Sequence, residues 1–199
     1  IYNKLPPKKG TVKMHTLNPN VLKNQIRQIE PYCVTNRLEI DSWKSYTGMH
    51  VSPNNIVLDE NPPIQMYLGD RWKVGYDETR YFESEITVPA EFEGKKVYLS
   101  IDFGGEAIVR INGQIVGAVS SEENFGWVHR TEILFKDGVK PGEKLNIQVE
   151  GAVNCAGFCD RAIAGAKYME YTLNKAELIA VDRLTESYWF DISTAWDAY

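Results

Sequence analysis

Glu106-Ala-Ile-Val-Arg-Ile-Asn-Gly-Gln-Ile-Val-Gly117 decides how this chain reads. Apolar residues alternate into Asn112-Gly113 and alternate again beyond it. A two-residue hairpin turn needs φ > 0 at both central positions, which Asn and Gly tolerate, so the stretch is a β-hairpin. Downstream, Lys140-Pro-Gly-Glu-Lys-Leu-Asn-Ile-Gln-Val-Glu150 is a Pro-Gly turn feeding a further strand.

The period of two extends outward from this hairpin. Phe82, Ser84, Ile86 and Val88 alternate with Tyr81, Glu83, Glu85 and Thr87. Val97, Leu99, Ile101 and Phe103 form a second set, and Leu145, Ile147 and Val149 a third. Each reads as a half-buried antiparallel strand with its polar phase in water. Asp102, Glu83, Glu85 and Glu150 fall on the polar phases and are expected to be exposed. Turn signals at Pro89, Glu93-Gly94, Gly104-Gly105, Asp137-Gly138 and Pro141-Gly142 separate the strands. Further strands are expected at 168–173 and 176–181. Strands at this spacing mean a sandwich or jelly roll.

The flanks differ. Residues 1–16 read as an extended arm, with Pro6-Pro7 and Gly10 breaking any helix. Asn18 can cap a helix, Pro19 suits its first position, and Leu17 can staple onto Leu22. Leu22, Ile26 and Ile29 share one helical face, and Pro31 ends it. Residues 32–63, with Trp43, Pro53, Pro62 and Pro63, read as a long irregular wrap over the sheet. At the far end Leu184, Tyr188, Ile192, Ala195 and Tyr199 fall on one helical face, widened by Trp189, Phe190 and Trp196. So aromatic a helix is expected to pack on more than one side. The chain is thus expected to divide into an arm, helix and wrap (1–63), a β-sandwich (64–182), and the start of a helix whose continuation is missing from this sequence (183–199). The expected fold is mainly β: an antiparallel jelly-roll or galactose-binding-like β-sandwich with an N-terminal and a C-terminal helix.

The chain has 199 residues, 43% of them hydrophobic and 25% charged, enough for one domain with a sizeable core. The net charge of -5 argues against a nucleic-acid surface. No apolar run reaches the ~20 residues of a membrane helix. Cys33, Cys155 and Cys159 are an odd set that makes no disulfide framework, and a reducing, cytoplasmic compartment follows as the expectation.

Catalytic signatures are sparse. His15, His50 and His129 show no metal-ligand spacing, and no metal site is expected in this chain. A glycosidase needs two carboxyls facing across the scissile bond, and nothing in the sequence places such a pair. No catalytic residue is assigned. The best candidate for ligand contact is the loop 120–130. There Glu123, Asn124, Trp127, His129 and Arg130 cluster with Phe125, and an aromatic ring can pack on the C–H face of a sugar while polar neighbours bond its hydroxyls. The same residues could instead touch a neighbouring domain. Tyr188, Trp189 and Trp196 are the expected domain interface.

Asn146-Ile-Gln-Val-Glu-Gly-Ala-Val-Asn-Cys-Ala-Gly-Phe158, followed by Tyr168-Met-Glu-Tyr-Thr-Leu-Asn-Lys-Ala-Glu-Leu-Ile-Ala-Val-Asp-Arg183 and an aromatic helix, resembles the region before the catalytic domain in glycoside hydrolase family 38 α-mannosidases. Asp102-Phe-Gly-Gly-Glu-Ala-Ile-Val-Arg-Ile-Asn-Gly113 is similar to that family's hairpin. The resemblance covers most of the chain, with Cys155-Ala-Gly-Phe-Cys159 departing from the glycine-rich form of its loop. It implies a parent enzyme that is a retaining α-mannosidase, with zinc or another divalent metal held by His and Asp and an Asp nucleophile. Those residues belong to the following domain, so no cofactor is implied here. The resemblance makes this chain the non-catalytic N-terminal module of an enzyme that removes terminal α-mannosyl residues from glycans. Its expected partners are the catalytic domain and a mannose-containing glycan, with no nucleic acid and no membrane. The alternatives are a sugar-binding jelly-roll module of a β-galactosidase or β-glucuronidase type enzyme, or a stand-alone carbohydrate-binding domain.

Overall fold

The computed structural model describes residues 18–52, 55–75, 78–121, 130–152 and 168–198. Helix α1 spans Pro19–Ile29. The Asn18 side-chain oxygen accepts from the Asn20 N–H at 3.0 Å, satisfying a first-turn donor that has no partner within the helix. Ile26 is buried, and Leu22 and Ile29 are half-buried. Pro31 then sits in a single 3-10 turn, Glu30–Tyr32. Leu17 lies outside the described residues.

The strands are β1 (Val34–Glu39), β2 (Ser42–Ser52), β3 (Asn55–Leu58), β4 (Ile64–Tyr67), β5 (Arg71–Gly75), β6 (Thr79–Thr87) and β7 (Lys96–Asp102). They continue as β8 (Glu106–Ile111), β9 (Gln114–Ser120), β10 (Glu132–Asp137), β11 (Lys144–Ala152), β12 (Tyr168–Thr172) and β13 (Lys175–Val181). Helix α2, Arg183–Asp197, closes the order. One sheet runs β1-β13-β7-β10, a larger one β3-β2-β6-β11-β8-β9 with β4 also on β2, and β12 pairs with β5. Every described pairing is antiparallel.

The β8–β9 hairpin turns at Asn112 (φ 52°) and Gly113 (φ 79°), the left-handed backbone that the Asn-Gly pair supplies. Asn112 also accepts the Asn146 N–H through its side chain at 2.9 Å, tying the turn to β11.

Apolar phases of the two sheets face each other. Leu99, Ile101 and Leu178 from one sheet, and Val109, Leu145 and Ile147 from the other, are fully buried in one cluster. Aromatic rings run through it edge to face: Trp43 to Phe103 at 5.1 Å, Phe103 to Phe82 at 4.8 Å, and Phe82 to Trp72 at 5.2 Å. The two indoles find carbonyl acceptors at 2.9 Å, Trp43 at Ile40 and Trp72 at Phe103, so neither leaves a buried N–H unpaired.

Residues 34–39, 42–52 and 55–58 are not an irregular wrap: they form β1, β2 and β3, and the sandwich begins there. The period of two was masked by polar residues on the core side of β2. Ser45 points inward at 1% exposure, and it accepts from Arg80 Nε at 2.7 Å. Pro62 and Pro63 precede β4 without interrupting a strand. A second correction concerns Glu150, expected in water and found 7% exposed.

Candidate functional site

Two surfaces concentrate functional groups, one on the outer side of each sheet. The first is the seat of α2. Asp182 starts the helix with its backbone N–H donating to Cys33 O at 2.8 Å. One turn on, Glu186 reaches down to β7. Its carboxylate accepts from Lys96 Nζ at 2.7 Å and from the Tyr98 hydroxyl. Lys96 also lies 5.0 Å from the centre of the Tyr98 ring. Arg183 donates to Asp137 and, at 3.2 Å, to Gly94 O, which fixes the start of the helix on the opposite edge.

These contacts shift protons. Burial, and after it the hydrogen bond to Glu186, hold the Tyr98 hydroxyl above the usual phenol range. Burial pushes Lys96 down, but hydrogen bonds to Glu186 and Tyr98 outweigh it and leave the ammonium above its ordinary value. Burial first, then the charge of Glu186, push the Cys33 thiol up.

Between α2 and the smaller sheet runs a groove of about 760 Å³, lined among others by Cys33, Tyr98, Ile179 and Trp189. Thr185, Glu186, Trp189, Ile192, Ser193 and Trp196 are the half-buried positions of α2. The helix has no fully buried residue. Leu184 (81% exposed), Tyr188 (56%) and Phe190 (62%) stand open. The stripe through Leu184 and Tyr188 therefore faces away from the sandwich. Of the three residues assigned to a domain interface, Tyr188 is on the open side, whereas Trp189 and Trp196 are half-buried.

The second surface lies on the larger sheet. Glu150 of β11 accepts from Arg110 Nη1 at 2.6 Å, and its other oxygen pairs with the His50 ring. Arg110 stands opposite Gln148, one pleat from Glu150, so the ion pair is a diagonal across two strands. Tyr46 of β2 is opposite Tyr81 of β6, and Tyr81 opposite Glu150. Gly48 lets the β2–β3 hairpin close against this row. A Cβ there would lie 2.8 Å from Val57 O and 3.0 Å from the Tyr81 ring. Sequence reasoning missed this cluster because its register spans four strands and one of them, β2, sat in the supposed wrap.

Of the loop candidates, Glu123, Asn124, Trp127 and His129 lie outside the described residues. Arg130 is exposed and is held by a mutual backbone pair with Ser120, at 2.8 and 2.9 Å. Cys155 and Cys159 also lie outside. Among the described residues no group of three or more His, Cys, Asp or Glu side chains converges as metal ligands would. They do not fit the zinc implied for the parent enzyme, and no chemistry here is routed through a metal. No described helix is long and apolar enough to cross a membrane, which leaves strand-built membrane proteins unaddressed.

The facing antiparallel sheets define a jelly-roll module. The chain belongs to the alpha-mannosidase jelly roll domain family, whose family model matches residues 34–179. That match begins at the first residue of β1 and ends within β13. No curated protein matches. Among solved structures, the chain is similar to the β-glucuronidase from Ruminococcus gnavus in complex with D-glucuronic acid, at 15% identity and a TM-score of 0.50. That likeness covers 76% of this chain and 31% of the other. The apo β-glucuronidase from Ruminococcus gnavus gives the same identity, score and coverage of this chain, over 30% of its own length. At such identity the likeness speaks to the fold alone. The chain spans about a third of the length of the solved structures it matches.

Proposed function

We propose that this chain is the non-catalytic N-terminal module of an α-mannosidase acting on terminal α-mannosyl residues of glycans, and that it buttresses the catalytic domain through α2. One observation carries the reading. Polar anchors at Arg183 and Glu186 hold α2 on the sandwich, yet Leu184, Tyr188 and Phe190 are turned to solvent in a chain of this family. An anchored helix with three large apolar residues outward is shaped to be covered by a further layer. In this reading residues 120–130 border the substrate cleft, and zinc or another divalent metal belongs to the catalytic domain. A cytoplasmic location belongs to it too, supported by Cys33, a free buried thiol.

The test is turnover. The purified 199-residue chain, incubated with p-nitrophenyl α-mannoside with and without zinc, is expected to release no nitrophenol. Hydrolysis that disappears when a carboxylate within the chain is replaced would overturn the reading.

A further inference from the structure

We propose that the outer face of the larger sheet carries a binding site for a neutral saccharide, in the cleft between the β2–β3 hairpin and strands β6, β11 and β8.

The cleft has a volume of about 360 Å³. That is at the lower end of the range of about 300–1,000 Å³ seen for small-molecule sites. One wall is apolar, from Ile56 and Leu58 of the hairpin. Tyr46, Tyr81, Arg110, Gln148 and Glu150 are among the residues that line the remainder. Half-buried tyrosine rings beside aliphatic side chains suit the C–H face of a pyranose. Amide and guanidinium groups next to them suit its hydroxyls.

The cleft is built rather than incidental. Glu150 lies on the solvent phase of a central strand, yet it is 7% exposed. An ionised carboxylate tolerates such burial only when paired and hydrogen-bonded, and Arg110 and His50 do this from both sides. The pairing fixes the Arg110 guanidinium in one place. Only Nη1 bonds Glu150, and a guanidinium carries five donors, so with respect to the described residues others remain for a ligand. Glu150 is thus a positioning residue. Gln148 donates its amide N–H to Glu83 at 3.4 Å, which leaves its carbonyl oxygen as an acceptor.

Charge selects the ligand class. Glu150 neutralises Arg110, and Glu83 adds a second carboxylate to the lining. No uncompensated cation faces the cleft from the described residues, so a uronate or phosphate would be opposed while a neutral polyol is not. This inference stands apart from the docking of α2. A failed titration leaves that reading intact, and hydrolysis by the isolated chain would leave this one intact.

The experiment is a titration of the ¹⁵N-labelled 199-residue chain, followed by heteronuclear NMR, with methyl α-mannoside, methyl α-glucoside and, separately, glucuronate. Saturable shifts are expected with at least one neutral glycoside, confined to the Arg110 Nε–H and to backbone amides near Tyr46, Tyr81 and Gln148. None are expected with glucuronate. Tyr46→Ala is expected to weaken binding about tenfold by removing one stacking face. Gln148→Ala, which removes only hydrogen bonds, gives a second reading should Tyr46→Ala perturb the fold. Both variants should keep the amide spectrum of the folded chain away from the cleft. No saturable shifts, shifts elsewhere, equal binding of glucuronate, or unchanged affinity in both folded variants would each overturn the proposal.

Discussion

Lys96 on β7 and Glu186 in α2 meet at 2.7 Å, joining the outer face of the smaller sheet to the C-terminal helix through a partly buried ion pair. The Tyr98 hydroxyl shares the same carboxylate. Lys96 and Tyr98 bond different oxygens of that carboxylate, so an amide there removes the charge and leaves one of the two donors without an acceptor. Glu186→Gln is expected to destabilise the seating of α2 by about 1–3 kcal/mol, the range for leaving a buried donor unsatisfied. Hydrogen exchange reads it directly: α2 amides should exchange faster while β11 amides keep their protection. Equal acceleration in both would show that the pair supports the whole fold and not the helix.

Stability is expected to fall at alkaline pH. Burial is the first cause that raises both Tyr98 and Tyr81, with Glu186 adding to Tyr98 and the charge of Glu150 to Tyr81. Lys96 is also raised, its hydrogen bonds outweighing burial. In each case the folded state holds a proton that the unfolded chain releases at a lower pH. The contribution is therefore complete below about pH 10, the ordinary tyrosine value, and is lost as pH rises through the folded values. Urea midpoints measured from pH 8 upward should stay level and then drop, and Tyr98→Phe should blunt the drop. A midpoint that climbs through this interval contradicts the assignment.

Gly48→Ala tests the closure of the β2–β3 hairpin. The new Cβ would stand 2.8 Å from Val57 O, backbone that cannot step aside without moving β3. A loss of about 1–3 kcal/mol is expected, as for other overpacked sites. Gly113→Ala is a useful contrast. Nothing lies within 4 Å of its Cβ, and its cost of about 1 kcal/mol would come from φ 79° alone.

Core and surface aromatics should separate cleanly. Trp43 is fully buried, so Trp43→Ala is expected to cost about 3–5 kcal/mol in denaturant unfolding. Phe190 is 62% exposed, so Phe190→Asp in the isolated chain should stay within about 0.5 kcal/mol of wild type. In an enzyme carrying the module the same change should loosen the contact between module and catalytic domain, seen as faster proteolysis between them. Unchanged proteolysis there would remove α2 from the interface.

Local chemistry was legible in the sequence and long-range pairing was not. The Asn112-Gly113 turn, the Asn18 cap and the strands of β6, β7 and β11 follow from residues close together in the chain. Glu150 was misplaced in water because its burial depends on Arg110 from the adjacent β8 and on His50 from β2, one strand further off across β6. β2 was hidden because Ser45 stands where an apolar residue would have completed the alternation, and Arg80 supplies its partner from β6. The aromatic face of α2 was legible, but not how it divides: Tyr188 stands open, whereas Trp189 and Trp196 are half-buried and Glu186 makes the contact with β7. The loop 120–130 had the right composition for ligand contact, but Arg130 alone of its five assigned residues lies within the described structure.

Reading the natural gene past the codon for Tyr199 tests the central assignment most directly. The account expects an open frame in which a His-Xaa-Asp metal motif appears within roughly one hundred codons, the scale of a domain's opening segment. A stop codon immediately after Tyr199 would contradict it, leaving a self-standing module with an open helix face and no catalytic domain to cover it.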